Sequence, residues 1–140
     1  MNFQLHPRLQ QDCIRIGRFD LCQLLMMNDS QYPWFILVPE IADVIELYQL
    51  TQTQRALFIE ESCYLAEQLA ELFNADKMNV ANIGNLVPQL HIHHIVRYST
   101  DIAWPAPVWG KFPAIPYTDQ QITGQIKRIE SGLSNRLKLL

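Results

Sequence analysis

Two hydrophobic segments in the first third of the chain are typical of β-strands. One extends from Phe19 to Met27 and ends at Asn28-Asp29-Ser30, a group of residues that favours turns. The other, Trp34 to Val38, is ended by Pro39, which lacks the backbone N–H that a central strand requires. Because few residues separate the two segments, the pattern predicts an antiparallel hairpin.

Two short helical patterns flank this hairpin. The first begins near Pro7, ends at Gly17 and carries apolar residues at helical spacing: Leu9, Cys13 and Ile16. The second follows Pro39 and has apolar residues at positions i, i+3, i+4 and i+7: Ile41, Val44, Ile45 and Tyr48. Both patterns predict short amphipathic helices.

Two longer helices are predicted from capping signals. Thr51 and Gln54 have the spacing of a capping box, and an apolar stripe follows them as far as Asn74-Ala75-Asp76: Phe58, Leu65, Leu69 and Leu72. Thr118 and Gln121 repeat this spacing before a second apolar stripe: Ile122, Ile126, Ile129, Leu133 and Leu137. The second signal predicts a C-terminal helix over about 119–138.

The remaining segments complete the predicted fold. Met78 to Ala81 and Leu90 to Tyr98 have the composition of two further strands. Residues 103–117 contain four prolines, so we expect an extended, irregular segment there. We therefore predict that residues 1–140 form a single α+β domain, with a mainly antiparallel sheet and helices on one face.

Composition and charge limit the classes of function. Apolar residues make up 49% of the chain and charged residues 18%, which is ordinary for a globular protein. The net charge of -3 gives no basic surface for a nucleic-acid polymer. A small phosphate-bearing ligand remains compatible, because backbone N–H groups and polar side chains can bind phosphate.

The cysteines and the hydrophobic runs predict a cytoplasmic location. Cys13, Cys22 and Cys63 are odd in number and far apart, which argues against a disulfide framework and against a thiolate metal site. The start of the chain lacks the pattern of a signal peptide. No apolar run approaches the roughly 20 residues needed to span a bilayer, so we expect no membrane contact.

The stretch QLHIHHIVR, residues 89–97, carries three of the four histidines. In a strand, alternation places Gln89, His91 and His93 on one face, and leaves His94 on the other face among apolar residues. His94 is therefore expected to be a packed, hydrogen-bonded residue. His91 and His93 either form an ordinary polar strand face or take part in catalysis. A His-x-His metal site is a third interpretation, although no acidic or cysteine ligand is nearby.

The preceding loop, NVANIGNLVPQ, favours a catalytic role for His91 and His93. Gly84 permits close approach of the backbone to a ligand, and Asn82 and Asn85 bring uncharged donors. Such donors beside paired imidazoles form a plausible phosphate site with a nucleophile next to it, although the asparagines also suit simple turns.

These residues resemble the histidine-triad (HIT) hydrolases and nucleotidyl transferases. Residues 89–95 match the family motif His-φ-His-φ-His-φ-φ, where φ is apolar, and 84–88 resemble the loop before it. The predicted hairpin and the long helix also fit, as does Arg97, which recurs in one branch. Residues 101–110 resemble a bacterial branch often described as diadenosine-tetraphosphate-hydrolase-like.

The resemblance implies a mechanism and roles. His91 would be the nucleophile that attacks the α-phosphorus of a nucleotide, and His93 would contact phosphate or the leaving group. Asn82, Gly84 and Asn85 would hold phosphate oxygens, and Asn28 would lie near the ribose. The family pattern also implies a homodimer and catalysis without a metal or other cofactor.

Two positions depart from the family motif. Gln89 replaces the first histidine, and although its backbone carbonyl can still orient His91, its amide cannot titrate. His94 replaces an apolar residue. The loss of the first imidazole leaves an alternative open, in which the protein binds or senses a nucleotide with little turnover. Trp104 and Trp109 either pack or cover the site, whereas Trp34 is interpreted simply as a strand residue.

Overall fold

The computed structural model describes residues 2–140; Met1, the first residue of the predicted domain, lies outside the described residues. The helices are α1 (Pro7–Asp12), α2 (Gln52–Phe73) and α3 (Asp119–Leu133), and a 3-10 turn spans Leu47–Gln49. The strands are β1 (Cys13–Arg18), β2 (Cys22–Met27), β3 (Trp34–Pro39), β4 (Lys77–Ala81), β5 (Ile92–Arg97) and β6 (Lys138–Leu139). None of these helices is long and apolar enough to cross a bilayer.

The strands form one sheet in the order β4-β5-β3-β2-β1-β6, and every neighbouring pair is antiparallel. The predicted hairpin is confirmed, because β2 pairs with β3 from Cys22 opposite Pro39 to Met26 opposite Phe35. The histidine strand, β5, lies between β3 and β4, with Ile36 opposite His93. This central position fixes the histidine side chains on a rigid part of the sheet.

The long helices α2 and α3 cover one face of the sheet, as predicted. Both capping boxes are present, since Thr51 accepts from the N–H of Gln54 and Thr118 accepts from the N–H of Gln121. Helix α2 ends at Phe73, because the next residue, Asn74, has a left-handed conformation that terminates the helical hydrogen bonds. Their apolar stripes pack on residues from β2, β3 and β5, which include Leu24, Leu37, Ile92 and Val96.

The opposite face of the sheet is covered by the N-terminal segment and by part of the proline-rich segment. A second apolar cluster there joins the chain start to the sheet: Leu5, Leu9, Leu25, Ile36, Val38, Val87, Ile95, Ala103 and Val108. The alternation predicted for the histidine strand is therefore correct, because Ile92 and Val96 face the helices and Ile95 faces the second cluster.

The helix predicted from Pro7 to Gly17 is wrong beyond Asp12. Helix α1 ends there, and Cys13 to Arg18 form β1, which pairs with β2 and with the C-terminal strand β6. At Gly17 a Cβ atom would lie 2.3 Å from the carbonyl oxygen of Lys138, so this glycine permits strand contact instead of ending a helix. Sheet pairing outweighs the local helical periodicity.

The helix predicted over Ile41 to Tyr48 does not form. Asp43 has a φ of 60°, which is outside the helical region, and the side chain of Gln49 bonds the N–H groups of Ile45 and Glu46. Ile41 and Val44 pack partly against the core, but Ile45 and Tyr48 are 47% and 76% exposed, so the predicted apolar stripe is not buried as one face. The segment is instead held by a bond from the N–H of Leu90 to the carbonyl of Val44.

The C-terminal helix is shorter than the predicted 119–138. Helix α3 ends at Leu133, and Lys138 and Leu139 add a short edge strand beside β1. Residues 103–117 have no regular structure, as their prolines predict.

Candidate active site

His91 and His93 line a cleft of about 330 Å³. This volume is at the lower end of the roughly 300–1,000 Å³ that small-molecule pockets occupy. The cleft walls come from α1, the sheet, the loop before β5 and the proline-rich segment, and they are mainly apolar: Leu9, Met27, Ile36, Ile83, Leu86, Val87 and Trp109. The polar lining residues besides the histidines are Arg8, Asp12 and Asn85.

The tautomer of His91 is fixed by the backbone. Its Nδ1 lies 2.7 Å from the carbonyl oxygen of Gln89, which can only accept, so Nδ1 carries the proton. The free lone pair is therefore on Nε2, which makes Nε2 the ring atom that can act as a nucleophile. His91 is only 4% exposed, and its ring lies 5.0 Å from that of His93.

His93 has the opposite tautomer. The indole Nε1–H of Trp34 donates to Nδ1 of His93 at 3.0 Å, and because indole can only donate, the proton of His93 is on Nε2. The adjacent rings are thus one acceptor and one donor at their Nε2 atoms. Trp34 has more than the simple strand role inferred from the sequence.

Both imidazoles are neutral at physiological pH. Burial lowers the pKa of His91, the carbonyl of Gln89 opposes this shift, and the charge of His6 adds to it. Burial, and then the repulsion that the protonated rings of His93 and His91 would exert on each other, lower the pKa of His93 to about 3, while the backbone of Ile83 acts in the opposite direction. A neutral imidazole retains the lone pair needed for attack on phosphorus.

Trp109, one of two tryptophans left open by the sequence, lines this cleft. Its ring stands edge-on to His93 with centroids 5.2 Å apart, and edge-on to Trp34 at 6.0 Å. Its Nε1 is buried and has no hydrogen-bond partner among residues 2–140. Trp104 is more exposed and lies over the guanidinium of Arg97 at 5.6 Å.

The loop before β5 brings some predicted residues to the cleft and not others. Asn85 lines the cleft. Gly84 packs tightly beside it, because a Cβ atom there would lie 2.9 Å from the carbonyl oxygen of Val87 and 3.9 Å from His91 Cε1. Asn82 does not line the cleft; it lines a neighbouring hollow with Ile45 and Glu46, and Gly84 and Asn85 also line that hollow.

The side chain of Gln89 is directed to the N-terminal segment. Its Nε2 donates to the carbonyl of Gln4 at 2.8 Å, and its Oε1 accepts from the N–H of His6 at 2.9 Å. A larger hollow of about 600 Å³ is lined by Gln89 and His6 but by neither His91 nor His93. Gln89 therefore contributes its carbonyl, not its amide, to the histidine pair.

Asn28 also lies outside the cleft lining. Its Oδ1 accepts from the N–H of Tyr117 at 2.9 Å, which ties the end of the proline-rich segment to the hairpin. The preceding residue, Met27, does line the cleft. The predicted ribose residue is thus next to the cleft, with one side of its amide used for structure.

His94 is a packed residue, as alternation predicts. It is fully buried, with Nδ1 at 3.1 Å from the carbonyl of Ile92 and Nε2 at 2.7 Å from Ser62 Oγ on α2. Burial, opposed by the carbonyl of Ile92, lowers its pKa to about 4, so it is neutral with both ring nitrogens satisfied.

Arg97 anchors the start of the proline-rich segment. It is 1% exposed and forms a bidentate pair with Asp101 at 2.8 and 3.1 Å. It also donates to Asn79 Oδ1 and to the carbonyl of Ala106, both at 2.8 Å. This network positions the segment that carries Trp109.

Several lining residues were not anticipated from the sequence. Pro7 marks the start of α1, but nothing in the local pattern shows that Arg8, Leu9 and Asp12 reach the histidines. Among residues 2–140, no three His, Cys, Asp or Glu side chains are grouped so that they could hold a metal ion.

Solved structures of three bacterial proteins superpose on nearly the whole chain. A histidine triad protein from Marinobacter aquaeolei VT8 is 48% identical, with a TM-score of 0.95, and the match covers 97% of this chain and 99% of that chain. A histidine triad protein from Sinorhizobium meliloti 1021 is 40% identical, with a TM-score of 0.91 and coverage of 93% and 96%. One from Bradyrhizobium japonicum is 37% identical, with a TM-score of 0.91 and coverage of 99% and 100%.

The sequence comparison agrees with the structural one. No curated protein matches the chain significantly. The family model of the HIT domain matches residues 8–100, which include α1 except Pro7, the hairpin, α2 and the histidine strand. With this match and the three close structural relatives, the chain belongs to the HIT domain family.

Proposed function

We propose that this protein hydrolyses a nucleoside phosphate anhydride, such as a dinucleoside polyphosphate, or a nucleoside phosphoramidate, with His91 as nucleophile. HIT domain proteins are typically nucleotide-binding hydrolases or transferases. The observation that carries the proposal is the pair of opposite tautomers, with the lone pair on Nε2 of His91 and the proton on Nε2 of His93.

The reaction proceeds in two displacements. Nε2 of His91 forms a bond to the α-phosphorus, and the bond from phosphorus to the bridging oxygen breaks with its electrons on the leaving phosphate. Water then attacks the same phosphorus, the P–N bond breaks with its electrons returned to Nε2 of His91, the water's proton passes to solvent, and the nucleoside monophosphate leaves. The carbonyl of Gln89 stabilises the transient charge on His91 through the Nδ1–H bond.

The protonation of His93 favours an anhydride over a phosphoramidate. With a pKa of about 3, His93 is a neutral hydrogen-bond donor and a weak acid at neutral pH. A phosphate leaving group departs as a stable anion and needs only such a hydrogen bond. An amine leaving group needs a full proton, so we expect phosphoramidates to be the slower of the two classes of substrate.

Binding roles follow from position. We assign phosphate oxygens to Asn85 and to the backbone beside Gly84, and the base to the apolar wall that includes Met27 and Ile36. The free side of the Asn28 amide is directed to the ribose in this proposal. Asn82 lies in the neighbouring hollow with Gly84 and Asn85, and in this proposal it holds phosphate from that side.

Intact-mass analysis tests the chemistry directly. The protein is incubated with diadenosine tetraphosphate and with adenosine phosphoramidate, quenched, and examined for a nucleotidyl adduct and for released AMP. We expect an adduct that maps to His91, faster turnover of the anhydride, and no adduct on His91→Asn. The matched variant His93→Gln retains the nucleophile and should still form the adduct. Absence of both turnover and adduct, with nucleotide still bound, would refute the hydrolase.

A nucleotide-binding or sensing protein is the second candidate. It is favoured by Gln89, whose amide is bonded to the N-terminal backbone and gives the cleft no titratable group. Under this reading, Gln89→His should raise turnover sharply. Little change in kcat would argue against a sensor.

The homodimer and the branch rest on the family resemblance, whereas the location rests on the cysteines and hydrophobic runs and the exclusion of a nucleic-acid polymer rests on the net charge. We propose a homodimer in the cytoplasm, closest in function to the diadenosine-tetraphosphate-hydrolase-like branch, with no nucleic-acid polymer as ligand. Light scattering would measure the oligomeric state, and a single-subunit mass at micromolar concentration would contradict the dimer.

A further inference from the structure

The cleft has very little positive charge for a ligand that carries phosphate. His91 and His93 are neutral, and the loop contributes only the amide of Asn85. Among the described residues, the charged side chains that line the cleft are Arg8 and Asp12, both from α1. Within residues 2–140, Arg8 is therefore the one cationic side chain that lines the cleft.

The ion pair between Arg8 and Asp12 is one that a bound ligand can replace. Its Nε donates to Asp12 Oδ2 at 2.7 Å, and its two terminal nitrogens have no hydrogen bond to any of residues 2–140. The side chains are 53% and 37% exposed, and exposed ion pairs of this type contribute little to stability. A phosphate oxygen pair matches the guanidinium fork better than one carboxylate oxygen does.

The position of α1 is fixed independently of Arg8. The amide of Gln89 clamps the backbone of Gln4 and His6, and His6 Nδ1 accepts from the N–H of Arg8 at 3.0 Å. At the other end, the carbonyl of Asp12 accepts from the N–H of Asn28. Leu9 is buried between these ends. The helix therefore presents Arg8 to the cleft with its backbone already ordered.

We propose that Arg8 binds the phosphate of the nucleotide, that this phosphate displaces Asp12 from the guanidinium, and that Gln89 is the positioning residue that holds α1 for this contact. The assignment rests on the proposed function, since it takes the ligand to be a nucleotide. It also gives the glutamine that replaces the first family histidine a role in binding instead of proton transfer.

Calorimetric titration with AMP and with adenosine tests the role of Arg8. The two ligands differ only by the phosphate, so a phosphate contact affects AMP alone. We expect Arg8→Gln to weaken AMP binding about tenfold, as loss of a charge-assisted contact implies, and to leave adenosine within about twofold. Arg8→Lys keeps the charge without the fork and should recover part of the loss. Asp12→Asn frees Arg8, so it should bind AMP at least as tightly as the unaltered protein.

The outcomes separate the two proposals. If the unaltered protein binds neither AMP nor diadenosine tetraphosphate, the nucleotide function and the Arg8 assignment both fail. If AMP binds and Arg8→Gln has no effect, only the Arg8 assignment fails. Equal weakening of AMP and adenosine, or a loss in Asp12→Asn as large as in Arg8→Gln, would mean that the pair merely supports α1, which also overturns the assignment.

Discussion

The indole N–H of Trp34 donates to Nδ1 of His93 at 3.0 Å, and this bond determines which nitrogen of His93 carries the proton. The neighbouring histidine, His91, has the opposite tautomer, because its Nδ1–H donates to the backbone carbonyl of Gln89. The two adjacent imidazoles thus have different chemistry although their sequence positions are equivalent by alternation.

Replacing Trp34 by Phe tests this bond. The ring volume is largely retained, but His93 loses the donor that fixes its tautomer, so kcat/KM should fall about tenfold, which corresponds to about 1.4 kcal/mol. Nitrogen-15 NMR of the imidazoles should show His93 changing to a mixture of tautomers and His91 unchanged. A single unchanged His93 tautomer in Trp34→Phe would contradict the role of the indole.

The pH dependence of kcat/KM follows from the lowered pKa of His91. Since burial favours the neutral form, the lone pair on Nε2 persists as the pH falls through the ordinary histidine value of about 6.5. The midpoint of the acid limb should therefore lie below pH 6.5. Initial rates at low substrate concentration report the free protein. An acid limb with its midpoint at or above 6.5 would show that His91 is not desolvated.

Replacing Gln89 by Ala removes both bonds to the N-terminal segment but keeps the carbonyl that orients His91. We expect faster hydrogen exchange at the amide of His6, severalfold weaker AMP binding, and an adduct that still forms on His91. If the adduct were lost while AMP binding was unchanged, the amide would act in the chemistry instead of in positioning α1.

Replacing Arg97 by Met breaks a buried ion pair and leaves Asp101 without its partner, so the free energy of unfolding should fall by about 3–5 kcal/mol. The matched control is Arg18→Met at the exposed pair with Glu40, where about 1 kcal/mol or less is expected. Urea unfolding measures both. Equal losses would contradict the importance of burial.

The same ion pair has a defined pH dependence. Burial alone would raise the pKa of Asp101, but hydrogen bonds from Arg97 and from backbone N–H groups lower it. The stabilisation is therefore present above the unfolded pKa of about 3.9, and it is lost as pH falls through the lower folded value. The difference between the unaltered protein and Arg97→Met should persist at pH 5.

Replacing Gly84 by Ala places a Cβ atom 2.9 Å from the carbonyl oxygen of Val87, so the loop beside His91 must move. We expect a loss of about 1–3 kcal/mol in unfolding free energy and about tenfold in kcat/KM. Gly124→Ala in α3 meets nothing within 4 Å and should stabilise by about 0.5–1 kcal/mol. Unaltered kinetics in Gly84→Ala would show that the loop geometry tolerates a side chain.

The sequence by itself determined the features that depend on neighbouring residues. The capping boxes at Thr51 and Thr118, the hairpin and the alternation that separates His91 and His93 from His94 all follow from local spacing. Each is decided within a few residues, by a side chain bonding a nearby N–H or by the two-residue period of a strand.

The tertiary structure decided what depends on distant partners. Cys13 to Arg18 became a strand because β2 and β6 offered backbone bonds that a short helix could not match, and Tyr48 remained exposed because Asp43 interrupts the helical pattern. The same holds at the site. Gln89 is hydrogen-bonded to His6, which lies 83 positions away in the sequence, and Trp34 is hydrogen-bonded to His93, which lies 59 positions away. No local pattern encodes such contacts, because they arise only when the sheet brings its faces and the N-terminal segment together.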